Sequence, residues 1–164
     1  MKLFLTGYMG SGKSTVAEQL SQLLNLAYIE MDHEIERMEE LTIPEIFEHF
    51  GEEYFRRKET ELLKNTAEEC IISTGGGVIL KEENRRLLKK GVVIYLNASW
   101  DTICERLVND QTRPLWNGND DNKKEHFTGR LPLYKETADI VIDVDNKKPE
   151  VIAKQIVARL NSHH

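Results

Sequence analysis

The sequence predicts one doubly wound, three-layer α/β domain built on a mostly parallel sheet. Three observations predict it. Short apolar runs alternate with helix-patterned stretches five times, with short links and no internal repeat. The first run, Leu3 to Leu5, feeds into Gly7-Tyr-Met-Gly10-Ser11-Gly12-Lys13-Ser14. That segment fits the phosphate-binding P-loop pattern G-x-x-x-x-G-K-[ST]. The fourth run, Val92 to Leu96, is apolar throughout, as in a strand covered on both faces.

The chain has 164 residues, which suits a single domain over 1–164 with a sizeable core. Its formal net charge is −6, and it carries no basic tail or stripe. This argues against a nucleic-acid surface, and an anion site must then rest on a few placed cations. No apolar run approaches the roughly 20 residues that span a bilayer, and the N-terminus lacks a signal-peptide pattern. Cys70 and Cys104 make neither a disulfide framework nor a zinc site. The expected compartment is the cytoplasm.

The P-loop explains its own composition. Its glycines let the backbone turn successive N–H groups toward a polyphosphate. The helix starting near Lys13 points its positive end at the same anion. Lys13 would reach the β- and γ-phosphates, and the Ser14 hydroxyl would ligate Mg²⁺. A plain glycine-rich turn is the rival reading, but a strand before and an amphipathic helix after favour the P-loop.

Lys13 to Leu24 reads as that helix, with Val16, Ala17, Leu20, Leu23 and Leu24 on one face. Ala27 to Ile29 reads as a short buried strand that ends at Glu30-Met-Asp32. In an extended segment these two carboxylates point the same way, at the strand end where open α/β sheets bind ligands. Equally, they fit a helix N-terminal charge cluster with His33 and Glu34. Residues 33–40 look helical. Thr42-Ile-Pro44-Glu45 opens another helix with capping-box spacing, and Gly51 ends it. A helix over about 52–66 carries Arg56, Arg57 and Lys58, which read as a solvated face unless a pocket lies beside them. Glu59 and Glu61 partly neutralise that run.

Cys70 to Ser73 is the third strand, and it runs into Thr74-Gly75-Gly76-Gly77. Three consecutive glycines suit close approach of backbone to a ligand or a tightly packed helix, with a flexible loop as the alternative. A helix over about 81–90 stops at Gly91. Ser99 N-caps a helix through Val108. From Asn109 to about Glu125 the pattern breaks down around Arg113-Pro-Leu-Trp116, as in a lid over a nucleotide or a plain surface loop. Helix resumes over 126–137, Asp139 to Val144 is the fifth strand, and Pro149 opens a closing helix through Leu160.

Taken together, these motifs resemble shikimate kinases from about Leu3 to Leu160. The P-loop wording, Ile43-Pro-Glu-Ile-Phe47, Gly51 to Glu59, Thr74 to Gly77, Arg113-Pro-Leu and Arg130-Leu-Pro-Leu-Tyr134 stand in that family's order. The resemblance implies a P-loop NTPase-like fold with sheet order 2-3-1-4-5. It also implies a helical substrate-binding insert over 33–66, expected to be a mobile flap, and a lid over 109–126. The implied activity is phosphorylation of the shikimate 3-hydroxyl by ATP with Mg²⁺, giving 3-phosphoshikimate and ADP on the route to chorismate. Its partners would be shikimate and ATP, with no nucleic acid or membrane, and it would act as a monomer.

By the same resemblance, Asp32 would hold the ring hydroxyls and accept the proton. Arg56 and Arg130 would pair with the substrate carboxylate, and the Gly76 backbone would bind a hydroxyl. Gly10, Ser11, Gly12, Lys13, Ser14 and Thr15 would hold the phosphates, Arg113 would swing in from the lid, and Arg106 and Lys147 would lie near the adenine. Two positions depart from the family pattern. Glu30 stands where an aspartate usually touches Mg²⁺ through water, and Lys147 replaces a stacking arginine with a point charge. The rival functions are another small-molecule P-loop kinase and a non-catalytic nucleotide-binding module.

Overall fold

A computed structural model describes residues 1–107 and 120–163. Five parallel strands form one sheet in the order β2-β3-β1-β4-β5. They are β1 (Lys2–Thr6), β2 (Tyr28–Glu30), β3 (Cys70–Ser73), β4 (Val92–Asn97) and β5 (Ile140–Asp143). The central strand β1 pairs Leu3 with Ile71 on one side and with Val92 on the other. Leu3, Phe4, Leu5, Ile71, Ile72, Val93 and Ile94 are buried, because helices cover both faces of the sheet.

The helices are α1 (Lys13–Leu24), α2 (Met31–Glu39), α3 (Ile43–Lys64), α4 (Glu82–Leu88), α5 (Trp100–Leu107), α6 (Asp120–Thr137) and α7 (Pro149–His163). Helix α1 packs on α7 and lies over β1, β2 and β3. Helices α3, α4 and α6 gather around a 3₁₀ turn at Val78–Leu80. The capping box forms: Thr42 Oγ1 accepts from the Glu45 N–H at 3.3 Å, and Glu45 Oε1 accepts from the Thr42 N–H at 2.9 Å. Gly51 interrupts α3 with φ 85° and ψ 168°, so the two predicted helices are two arms of one kinked rod.

Several expectations need correction. The second strand runs 28–30 rather than 27–29, and it is not buried: it is a sheet edge, with Tyr28 exposed. Leu23 lies off the apolar face of α1, 49% exposed. Helix α2 starts at Met31, so Asp32 sits in a first helical turn and does not share an extended segment with Glu30. Helix α6 begins at Asp120, before the predicted 126. Much of the expected lid, Arg113 included, lies outside the described residues.

Candidate active site

The P-loop takes its shape from Gly12, whose φ of 92° at the N-cap of α1 a side chain would strain. The turn closes as the Ser11 N–H donates to the Tyr8 carbonyl at 3.0 Å. Lys13 folds over this loop, donating to the Gly7 carbonyl at 2.7 Å and the Tyr8 carbonyl at 3.2 Å. Arg106 reaches across from α5 and donates to the Gly10 carbonyl at 3.1 Å. Ser11 is fully buried under the loop.

A cleft of about 550 Å³ opens over these groups. Gly10, Gly12, Lys13, Ser14, Thr15 and Arg106 line one end. Glu30, Asp32, Gly76 and the start of α3 at Thr42, Ile43 and Pro44 line the other. Lys147 is not part of this lining. It lies on the β5–α7 link, where its ammonium donates to Gln155 Oε1 at 3.2 Å.

Ser14 Oγ donates to Glu30 Oε2 at 2.6 Å. A hydroxyl and a carboxylate side by side at the phosphate end are hard oxygen donors. They fit Mg²⁺, which binds through one or two protein oxygens and completes its shell with phosphate and water.

The triple glycine is where Asp32, Arg56, Glu59 and Arg130 converge. Thr74 ties the segment to the central strand, its N–H and hydroxyl both donating to the Leu5 carbonyl, at 3.1 and 2.7 Å. The Tyr134 hydroxyl braces the Gly76 carbonyl from α6. A Cβ at Gly75 would stand 3.1 Å from Asp32 Oδ1 and strike the Glu59 carboxylate. One at Gly77 would stand 2.6 Å from Arg56 Cζ, and one at Gly76 would stand 3.6 Å from Arg130 Nη1. The glycines therefore let Asp32, Glu59, Arg56 and Arg130 crowd one stretch of backbone. Close packing of side chains is the reason for glycine at 75 and 77, whereas a Cβ at Gly76 would make ordinary contacts.

Arg56 and Arg130 are 8% and 4% exposed, which rules out a solvated face. Arg56 Nη1 donates to Glu59 Oε1 at 2.8 Å, and Nη2 donates to Glu52 Oε1 at 3.2 Å. Burial opposes the Arg56 charge, but Glu59 and Glu52 outweigh it and hold the guanidinium firmly protonated. Burial pushes the Glu59 carboxyl up to about 6, against the pull of Arg56. Arg130 Nη1, Arg56 Nε and Glu59 Oε2 have no hydrogen-bond partner among the described residues. Buried polar atoms left in this state are costly unless a ligand satisfies them.

Of the residues singled out in the sequence, Lys13, Ser14, Thr15, Glu30, Asp32, Gly76 and Arg106 line this cleft, whereas Ser11, Arg56 and Arg130 are not among its lining residues, and the two arginines pack against the triple glycine. Glu59 does neutralise part of the basic run, as its spacing of one helical turn from Arg56 suggests, but its complete burial beside the triple glycine was not legible. Sequence reasoning also missed the wall from Thr42 to Pro44, which only the packing of α3 against α2 creates.

A parallel sheet with a phosphate loop, and a cleft that runs from that loop to Asp32 and Gly76, is the arrangement of a P-loop kinase of small molecules. A family model described as shikimate kinase matches residues 9–161. The chain is 42% identical to the shikimate kinase of Nitrosospira multiformis, over 96% of this chain and 84% of that protein. A structure of the Acinetobacter baumannii shikimate kinase in complex with shikimate superposes with a TM-score of 0.94 at 35% identity, covering 98% of this chain and 93% of that one. The shikimate kinase of Aquifex aeolicus gives 0.89 at 38% identity, covering 99% and 97%. The chain belongs to the shikimate kinase family, and it is an ATP-dependent kinase of the shikimate pathway.

Proposed function

We propose that this chain binds Mg²⁺-ATP on the P-loop and shikimate against Asp32 and the triple glycine, and transfers the γ-phosphoryl group to the 3-hydroxyl. The observation that carries this reading is that Asp32 and Gly76 line the same cleft as Lys13 and Ser14. Donor and acceptor groups thus share one space, and phosphoryl transfer depends chiefly on positioning and charge stabilisation.

Lys13 exchanges its loop carbonyls for the β- and γ-phosphate oxygens. Ser14 and Glu30 would hold Mg²⁺ beside the nucleotide, and the ion would supply charge neutralisation for the phosphates. Asp32 orients the acceptor hydroxyl and accepts its proton. Arg56 and Arg130 receive the shikimate carboxylate with paired, charge-assisted hydrogen bonds. The unsatisfied Arg56 Nε and Arg130 Nη1 support that assignment. Arg113 approaches the transferring group from the lid, and Arg106 and Lys147 flank the adenine. The enzyme acts as a cytoplasmic monomer.

Thermal denaturation tests the acceptor site directly. A ligand that binds only the native state at about 100 times its Kd adds roughly 2.7 kcal/mol. For a domain of this size that raises Tm by roughly 5–10 °C. Shikimate alone is expected to produce this shift and gluconate to produce none. Equal shifts from both would remove the substrate assignment.

A further inference from the structure

We infer that Tyr8, anchored by His126, is a positioning residue for Arg130, so that one hydrogen bond between the P-loop and α6 sets acceptor affinity. The inference rests on the reading of Arg130 as a ligand of the substrate carboxylate.

Tyr8 lies in the P-loop but turns its side chain away from the phosphate end, where it is 2% exposed. Its hydroxyl lies 2.5 Å from His126 Nδ1, a contact across 118 residues of sequence. Burial pushes the phenol up to about 12, so Tyr8 keeps its proton, and the donor in its bond to Nδ1 is set by the tautomer of the ring. The imidazole is held below its usual range by burial first, then by Arg130 and Arg56, with Glu52 opposing. A neutral ring with its proton on Nε2 is the state that accepts from Tyr8.

The ring of Tyr8 is fixed on other sides as well. Phe127 meets it edge-on at 5.2 Å with an interplanar angle of 85°. Arg130 Cζ stands 5.7 Å from its centroid, in cation–π range. His126 and Arg130 are four residues apart on α6, hence neighbours on one helix face. Tyr8 therefore grips that face twice, by hydrogen bond at 126 and by its ring at 130. This arrangement leaves Arg130 Nη1 buried beside Gly76 with no hydrogen-bond partner among the described residues. An arginine fixed in advance loses less rotamer freedom when its ligand arrives.

The test is a double-mutant cycle read in KM for shikimate and for ATP at neutral pH. KM does not depend on the amount of active enzyme, so partial misfolding cannot mimic the effect. Tyr8→Phe and His126→Leu are each expected to raise the shikimate KM about three- to tenfold, with the ATP KM unmoved. The double variant should be no worse than the worse single one, since both remove the same bond. His126→Asn, whose Oδ1 stands near the Nδ1 position, should recover most of the loss. Additive effects, an equal rise in the ATP KM, or failure of the Asn variant to recover would each overturn the inference. Arg130→Ala separates the two levels. An unchanged shikimate KM in that variant would remove the reading of Arg130 itself. A large rise there with normal Tyr8→Phe and His126→Leu enzymes would remove only the positioning role.

Discussion

Glu59 Oε1 accepts a hydrogen bond from Arg56 Nη1 at 2.8 Å, with the Glu59 side chain wholly withdrawn from solvent. The pair sits one turn apart on α3 and places a fixed guanidinium against Gly77. A buried pair of this kind loses far more when one partner is removed than the intact pair contributes.

The pH dependence of stability follows from this pair. Glu59 titrates near 6 in the folded chain against an ordinary value of 4.5, because burial disfavours its charge. The native state therefore holds this proton more tightly than the unfolded state. Its contribution is fully present below about 4.5 and is lost as pH rises through about 6. Denaturant unfolding of wild type and Glu59→Gln should show their stability difference falling by on the order of 2 kcal/mol across that window, with wild type losing ground as pH rises. A flat difference would contradict the assigned burial.

Gly77→Ala should damage acceptor binding more than nucleotide binding. The added methyl stands 2.6 Å from Arg56 Cζ, and Arg56 has little room to yield while Glu59 and Glu52 hold it. We expect at least a tenfold rise in the shikimate KM and roughly 1–3 kcal/mol of destabilisation. Steady-state kinetics with both substrates and a denaturant melt check this.

Lys13→Ala should lower kcat by about a hundredfold or more while leaving the fold intact. Lys13 donates to the Gly7 and Tyr8 carbonyls of its own loop and lines the open cleft, so a truncated side chain there enlarges the cleft and not the core. Single-turnover kinetics with circular dichroism as the fold check decide it. Wild-type turnover would remove the phosphate role.

Glu30→Gln should raise the Mg²⁺ concentration needed for half-maximal rate several-fold, with less effect at saturating metal. The amide keeps the size of the side chain facing Ser14 but removes the charge. Mg²⁺ titration at fixed ATP is the measurement. An unchanged requirement would place Glu30 outside the metal's surroundings.

What the sequence revealed depended on the range of the interaction involved. Helix α1 and the capping box of α3 are local, set by spacing within a few residues, and both ends of α1 fall where the pattern puts them. The strand run β4 was equally plain because burial on both faces leaves it continuously apolar. The order 2-3-1-4-5 already put β2 at an edge, but its three residues read as buried, since their exposure depends on what packs against the strand and not on the residues themselves. Likewise, Arg56 looked like one member of a charged run. Only the approach of the triple glycine, with Glu59 beneath it, turns it inward. The bond between Tyr8 and His126 spans 118 residues of sequence and left no local trace.

The most direct test of the account is release of ADP from Mg²⁺-ATP in the presence and absence of shikimate, with quinate, gluconate and AMP as parallel acceptors. Strong stimulation by shikimate alone is the predicted result. Stimulation by another acceptor with none by shikimate would contradict the acceptor site, and no release with any acceptor despite measurable ATP binding would contradict the assignment as a kinase.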